Sequence, residues 1–163
     1  MKGRKQRGLD VAVRINSIQS GFAEDDLRSI LAASTLPTTL LVPKIEEKEQ
    51  LRYIASVLSK SLAGRVRGQP LRLMLYIESA HALLRMRELL ETALQLADNS
   101  DNSFALEGVV FGSDDFCADI GASRSKEATE VYFARQYFVT VVKSFQRSLH
   151  AIDLVHIEFK GGE

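Results

Sequence analysis

Residues 71–79 read LRLMLYIES, an apolar run that stops on an acid and leads straight into AHALLRMRELLETALQLA. The alternation along it puts Glu78 on the face shared by Met74 and Tyr76. Four more runs follow this plan: VAVRIN at 11–16, TLLVPKIE at 39–46, LEGVVFGSDD at 106–115 and AIDLVHIEF at 151–159. Each ends at residues able to grip a metal or an anion. The intervening segments carry helical spacing: Leu27, Ile30 and Leu31; Leu51, Ile54, Leu58 and Leu62; Leu83, Met86, Leu90, Ala93 and Ala97; Val131, Ala134, Phe138, Val141 and Phe145. The order is therefore five strands alternating with four helices, an α/β fold with a parallel sheet. In such folds the carboxyl ends of the strands share one face, where ligands bind. Arg14, Lys44, Glu46, Glu78 and Asp115 are expected to converge there.

Length separates two architectures. Each strand-helix unit uses about 35 residues, and a closed (β/α)8 barrel takes roughly 250. With 163 residues, five strands make a partial (β/α)8 TIM barrel. The Rossmann alternative needs a glycine-rich phosphate turn after a strand, and GSDDF offers one glycine where three are required. Residues 1–10 read as a basic segment, with Lys2, Arg4, Lys5 and Arg7, and 11–163 as one domain. The first strand follows too soon to leave room for a convincing mitochondrial presequence.

Hydrophobic residues make up 45% of the chain and charged ones 26%, with a formal net charge of zero. That balance argues against long-range steering of nucleic acid. No apolar run approaches the roughly 20 residues that span a bilayer, so a membrane partner is not expected. Cys117 is the one cysteine, which excludes an internal disulfide framework and suits a packing role.

Glu78 reads as a metal ligand, a helix cap or an ion-pair partner of an arginine; a lone carboxylate after an apolar strand is costly unless paired. Asp114 and Asp115 read as turn or cap residues or as a second ligand source, with Gly112 letting the backbone pass close to a ligand. Two strand-end carboxylates on neighbouring strands suit Mg2+, which takes one or two carboxylates plus waters and substrate oxygens. The three histidines, His81, His150 and His156, lack zinc spacing. Arg14 offers a planar fork for a substrate carboxylate, or an ion pair with Glu78 or Asp115. Lys44 and Glu46 orient the metal's water shell or pair with each other. Ser17, Ser79 and Ser113 have no histidine placed to activate them.

Read in order, VRINSIQSG, LPTTLLVPKIE, LYIESAHALLRM and VVFGSDDFCADIGASRSKE resemble the citrate lyase beta-subunit-like proteins, in the superfamily that also holds malyl-CoA lyases and HpcH/HpaI aldolases. The resemblance covers nearly all of 11–160. It implies Mg2+ bound by Glu78 and Asp115, with Arg14 on the oxo-acid carboxylate. The implied reaction is cleavage of a 3-hydroxyacyl-CoA, for the animal mitochondrial members citramalyl-CoA to acetyl-CoA and pyruvate. Family chains open with two further strands and continue into a segment that gives a catalytic aspartate to a neighbouring subunit. This chain corresponds to family strands three to seven, with QRSLH at 146–150 a local departure, so the catalytic base is expected outside it. The implied partners are acyl-CoA, a 2-oxo acid and either a second copy or a full-length subunit. A non-catalytic isoform and an aldolase acting on a free oxo acid remain open beside the lyase.

Overall fold

The computed structural model describes residues 10–65, 68–145 and 147–153. The strands are β1 (Ala12–Arg14), β2 (Thr39–Val42), β3 (Leu71–Ile77), β4 (Phe104–Phe111) and β5 (His150–Asp153). They pair parallel in the order β1-β2-β3-β4-β5. A doubly wound sheet reverses its strand order at a switch point. This sheet never reverses, so it winds as a barrel wall does, and the partial barrel stands.

The helices are α1 (Ala23–Ala32), α2 (Lys48–Leu62), α3 (Ala80–Asp98), α4 (Ser113–Asp119) and α5 (Tyr132–Lys143). Among the described residues there are five α-helices where four were expected. The addition is α4, whose seven residues are too few to show a helical period. Elsewhere the apolar stripes are the packed faces: Leu27 and Leu31, Leu58 and Leu62, Met86 and Leu90, Phe138 and Val141 are all buried. They meet Leu40, Val42, Leu73, Leu75, Ile77, Val109 and Phe111 from one side of the sheet. Phe111 stacks obliquely on Phe116 and Phe138, with ring centroids 5.1 and 5.6 Å apart.

The opposite side of the sheet, the inner wall of the barrel, holds a small apolar band of Met74, Tyr76 and Val110 with Leu41 against it. Between Leu73 and Met74 the β3–β4 register slips, so Leu73 faces Leu106 while Met74 faces Gly108. The extra residue, Glu107, lies 3.7 Å from Arg72 and 3.5 Å from His150. Arg72 also pairs with Asp10. The amino-terminal end of the inner wall is thus a charged floor.

Regular pairing ends earlier than the sequence runs suggest, leaving Asn16, Pro43–Glu46, Glu78 and Gly112–Asp115 beyond the strands. Pro43 has no N–H to give the ladder, and Lys44 turns the chain with φ of 51°. Single bonds still stitch the strand ends: Ile15 N–H to Leu41 O at 3.2 Å, Ile45 N–H to Tyr76 O at 3.4 Å and Gly112 N–H to Ile77 O at 2.9 Å. The last expected strand, 151–159, is described only to Asp153, and the basic start at 1–9 also lies outside the described residues. No described helix is long and apolar enough to cross a membrane.

Candidate functional site

Glu78 lies at the carboxyl end of β3 and is 8% exposed. It is not the helix cap: Ser79 takes that role, its hydroxyl accepting from Ala82 N–H at 3.1 Å, a bond worth about 1 kcal/mol. Nor does Glu78 make an ion pair among the described residues. Its one hydrogen bond comes from the backbone N–H of Lys44, to Oε2 at 2.9 Å. Burial pushes its carboxyl above the ordinary 4.5; the Lys44 N–H pulls it back, and the charge of Asp115 pushes it up again. A half-compensated buried carboxylate therefore sits at the mouth of the barrel wall.

Gly112 is what lets it fit. A methyl group built there would come within 2.6 Å of Glu78 Oε1 and 2.9 Å of its Cδ. Any side chain at 112 would displace the carboxylate.

Lys44 links two strand ends. Its ammonium lies 3.1 Å from Asp115 Oδ2, and that contact, followed by the charges of Glu78 and Glu46, raises its affinity for a proton. Its left-handed backbone is unusual for a lysine. The turn is held from outside: Gln19 and Gln50 donate to its carbonyl at 3.3 and 3.4 Å. Gln50 also accepts from the N–H groups of Glu46 and Glu47, both at 2.8 Å, closing the start of α2. Lys44 thus pairs with Asp115 rather than with Glu46.

Arg14 ends β1 opposite Leu41, which in turn faces Met74 on β3. Among the described residues it makes no ion pair. Its charge is nonetheless felt: burial raises the Tyr76 hydroxyl and Arg14 draws it partly back, and the same guanidinium offsets a little of the rise at Glu78. Arg14, Lys44, Glu78 and Asp115 share one mouth, with Glu46 beside Lys44. Asp114 turns away, its Oδ1 accepting from Arg124 at 2.9 Å.

Sequence reasoning passed over the support of this mouth. Arg124 donates to Ser113 Oγ at 2.5 Å as well as to Asp114. Glu130 accepts from Ser125 N–H and Oγ at 3.0 and 2.6 Å, and these bonds hold its carboxyl down at about 2. Both residues sit in a polar stretch, ASRSKEATE, that reads as loop. The capping box of Glu47 and Gln50 at the start of α2 was likewise not read from the sequence.

Among the described residues no three His, Cys, Asp or Glu side chains gather into a protein-only metal cage. What the mouth offers is two hard carboxylates, one buried and undercompensated, the other neutralised by an ammonium. That donor set fits a Mg2+ ion that keeps waters and completes its shell with substrate oxygens.

A non-reversing parallel wall with acids and a guanidinium at its carboxyl rim is part of a (β/α) barrel with its candidate site at the mouth. The chain belongs to the HpcH/HpaI aldolase/citrate lyase family, whose pattern matches residues 4–163. It is 41% identical over 150 residues to the human protein named citramalyl-CoA lyase, mitochondrial, a match covering 92% of this chain and 43% of that one. The chain thus spans less than half the length of the curated relatives it matches. Among solved structures, a citrate lyase from Burkholderia xenovorans superposes with a TM-score of 0.73 at 22% identity, over 92% of this chain and 46% of that one. RipC from Yersinia pestis gives 0.70 at 24% identity, over 91% and 59%. These two likenesses support the fold.

Proposed function

We propose that this chain carries the metal and oxo-acid half of a carbon–carbon lyase site that cleaves a 3-hydroxyacyl-CoA, with citramalyl-CoA the preferred substrate. The observation that carries the reading is the meeting of Glu78, Lys44 and Asp115 at the strand ends beside Arg14. The 41% identity to the human enzyme of that name supports the choice of thioester, and its mitochondrial designation supports the same location here.

Glu78 and Asp115 would hold Mg2+, which when bound supplies Lewis-acid polarisation and a template for substrate oxygens. Arg14 would take the carboxylate of the oxo-acid portion through its fork, fixing which carbon faces the acids. Lys44, kept protonated by its acidic neighbours, adds positive charge where oxygen develops negative charge. In the cleavage the substrate hydroxyl gives up its proton and becomes the carbonyl of pyruvate. The electron pair of the broken carbon–carbon bond passes to the α carbon of the thioester, which takes up a proton to leave acetyl-CoA. We assign no described residue as the base.

A second reading has one observation behind it. Among the described residues β1 and β5 each pair on one side only, and unpaired parallel edges invite a partner. The chain would then act beside a full-length subunit, binding metal without turning over. Incubating the purified chain with Mg2+ and citramalyl-CoA, while following acetyl-CoA and pyruvate, decides between them. Turnover establishes the lyase; Mg2+ binding without turnover establishes the second reading. Malyl-CoA and a free hydroxy acid, run alongside, fix the substrate class. Glu78→Ala and Asp115→Ala should each abolish Mg2+ binding by calorimetry, and unchanged affinity in both would remove the metal assignment.

A further inference from the structure

We infer that Arg124, backed by Glu130, is a positioning residue that holds Asp115 in place across from Glu78; this rests on the reading of those two acids as a metal pair. The helix carrying Asp115 cannot hold itself. It has seven residues, and its N-cap, Gly112, brings no side-chain bond; helices this short do not persist unaided in water. External ties fix it instead. Arg124 Nη1 donates to both Ser113 Oγ and Asp114 Oδ1, at 2.5 and 2.9 Å, pinning the two residues that precede Asp115. At the far end, Asp119 Oδ2 accepts from Ala80 N–H at 2.8 Å, two residues beyond Glu78. The tethered helix therefore sets the spacing between the acids.

The arrangement is not what stability alone favours. The Arg124 side chain is 10% exposed and Glu130 13%, with Glu130 Oε1 3.6 Å from Arg124 Nε. Among the described residues, Arg124 Nε and Nη2 are buried without a hydrogen-bond partner, and unused buried donors carry a desolvation cost. Apolar replacement of a buried ion pair is often neutral or stabilising. What this pair secures is the orientation of the Ser113–Asp115 turn, with Ser113 wholly buried and Asp115 half-exposed toward Lys44.

The experiment compares the parent chain with the double variant Arg124→Met/Glu130→Gln, which removes the pair without stranding either charge, and with Arg124→Lys, which keeps the charge but loses the fork. Mn2+ affinity is measured by electron paramagnetic resonance, and the unfolding midpoint is measured without metal. Misplaced ligand supports typically weaken a metal by about 10–100-fold, and at least the lower figure is expected for the double variant, with the metal-free midpoint nearly unchanged. Arg124→Lys should fall between. Parent-like Mn2+ affinity in a folded double variant overturns the inference and leaves the metal reading intact. A parent that binds no Mn2+ overturns both. Loss of folding in both variants makes the pair a stability element and overturns the positioning role.

Discussion

The ammonium of Lys44 stands 3.1 Å from Oδ2 of Asp115, an ion pair that bridges the ends of two strands separated by a third. In the metal-free chain the lysine supplies the positive charge that a divalent cation would bring. Both side chains are about half exposed, 52% and 50%, so solvent keeps the pair modest. Lys44→Met should therefore tighten Mn2+ binding severalfold. Lys44→Gly, which keeps the left-handed turn and its N–H, should do the same. Weaker binding in both, measured by calorimetry, would show that the ammonium helps the cation rather than competing with it.

Glu78 sets up an opposition between stability and chemistry. Its folded carboxyl is raised by burial above the unfolded value of 4.5, so the folded chain binds more protons than the unfolded one between those two values. The favourable contribution of its protonated form is complete below the unfolded value and is lost as pH rises through the folded one. Glu78→Gln keeps an acceptor for Lys44 N–H but carries no charge to bury. It should raise the metal-free unfolding midpoint at pH 7, with the gain fading as the pH falls from the raised folded value to 4.5 and absent below it, while Mg2+ no longer stabilises the variant. A scan of midpoint against pH, with and without Mg2+, reads both effects.

Arg14 lacks an ion-pair partner among the described residues, so its fork is open to a ligand. Arg14→Lys keeps the charge and loses the bidentate geometry. Pyruvate affinity in the presence of Mg2+ should drop about tenfold, roughly the loss of one charge-assisted hydrogen bond. An equal affinity, measured by titration calorimetry, would remove the carboxylate-binding role.

At Gly112 the added methyl of Gly112→Ala meets the Glu78 carboxylate at 2.6 Å. Overpacking of this kind costs about 1–3 kcal/mol. The variant should lose stability and metal affinity together, and the double variant Gly112→Ala/Glu78→Ala should recover the stability alone. Thermal unfolding of the four chains completes the cycle.

Much of this was legible in the residues. LRLMLYIES placed Glu78 on the Met74 and Tyr76 face because side chains in a strand alternate regardless of partners, and the charge of Glu78 acts on the Tyr76 hydroxyl. The strand order followed from regular alternation and length. What could not be read was anything set by contacts across distant chain. Lys44 pairs with Asp115 rather than Glu46 from a left-handed turn, and no local pattern marks a lysine for that conformation. Asp114 and Asp115 look equivalent in sequence, yet Arg124 takes the first and Lys44 the second. The helix α4 escaped notice since seven residues hold too little periodicity, and Arg124 was hidden in a polar stretch with no spacing to betray it.

The two sides of the sheet differ sharply in what they contribute. Nearly all the tightly packed side chains lie under the helices, whereas the inner wall has a narrow oily belt between a charged floor and the reactive rim. Volume-conserving apolar swaps at Leu41, Met74 and Val110 should therefore cost less than about 1.5 kcal/mol. On the proposed function, that belt is the place to diversify first for a change in acid selectivity, with the helix-facing layer left untouched.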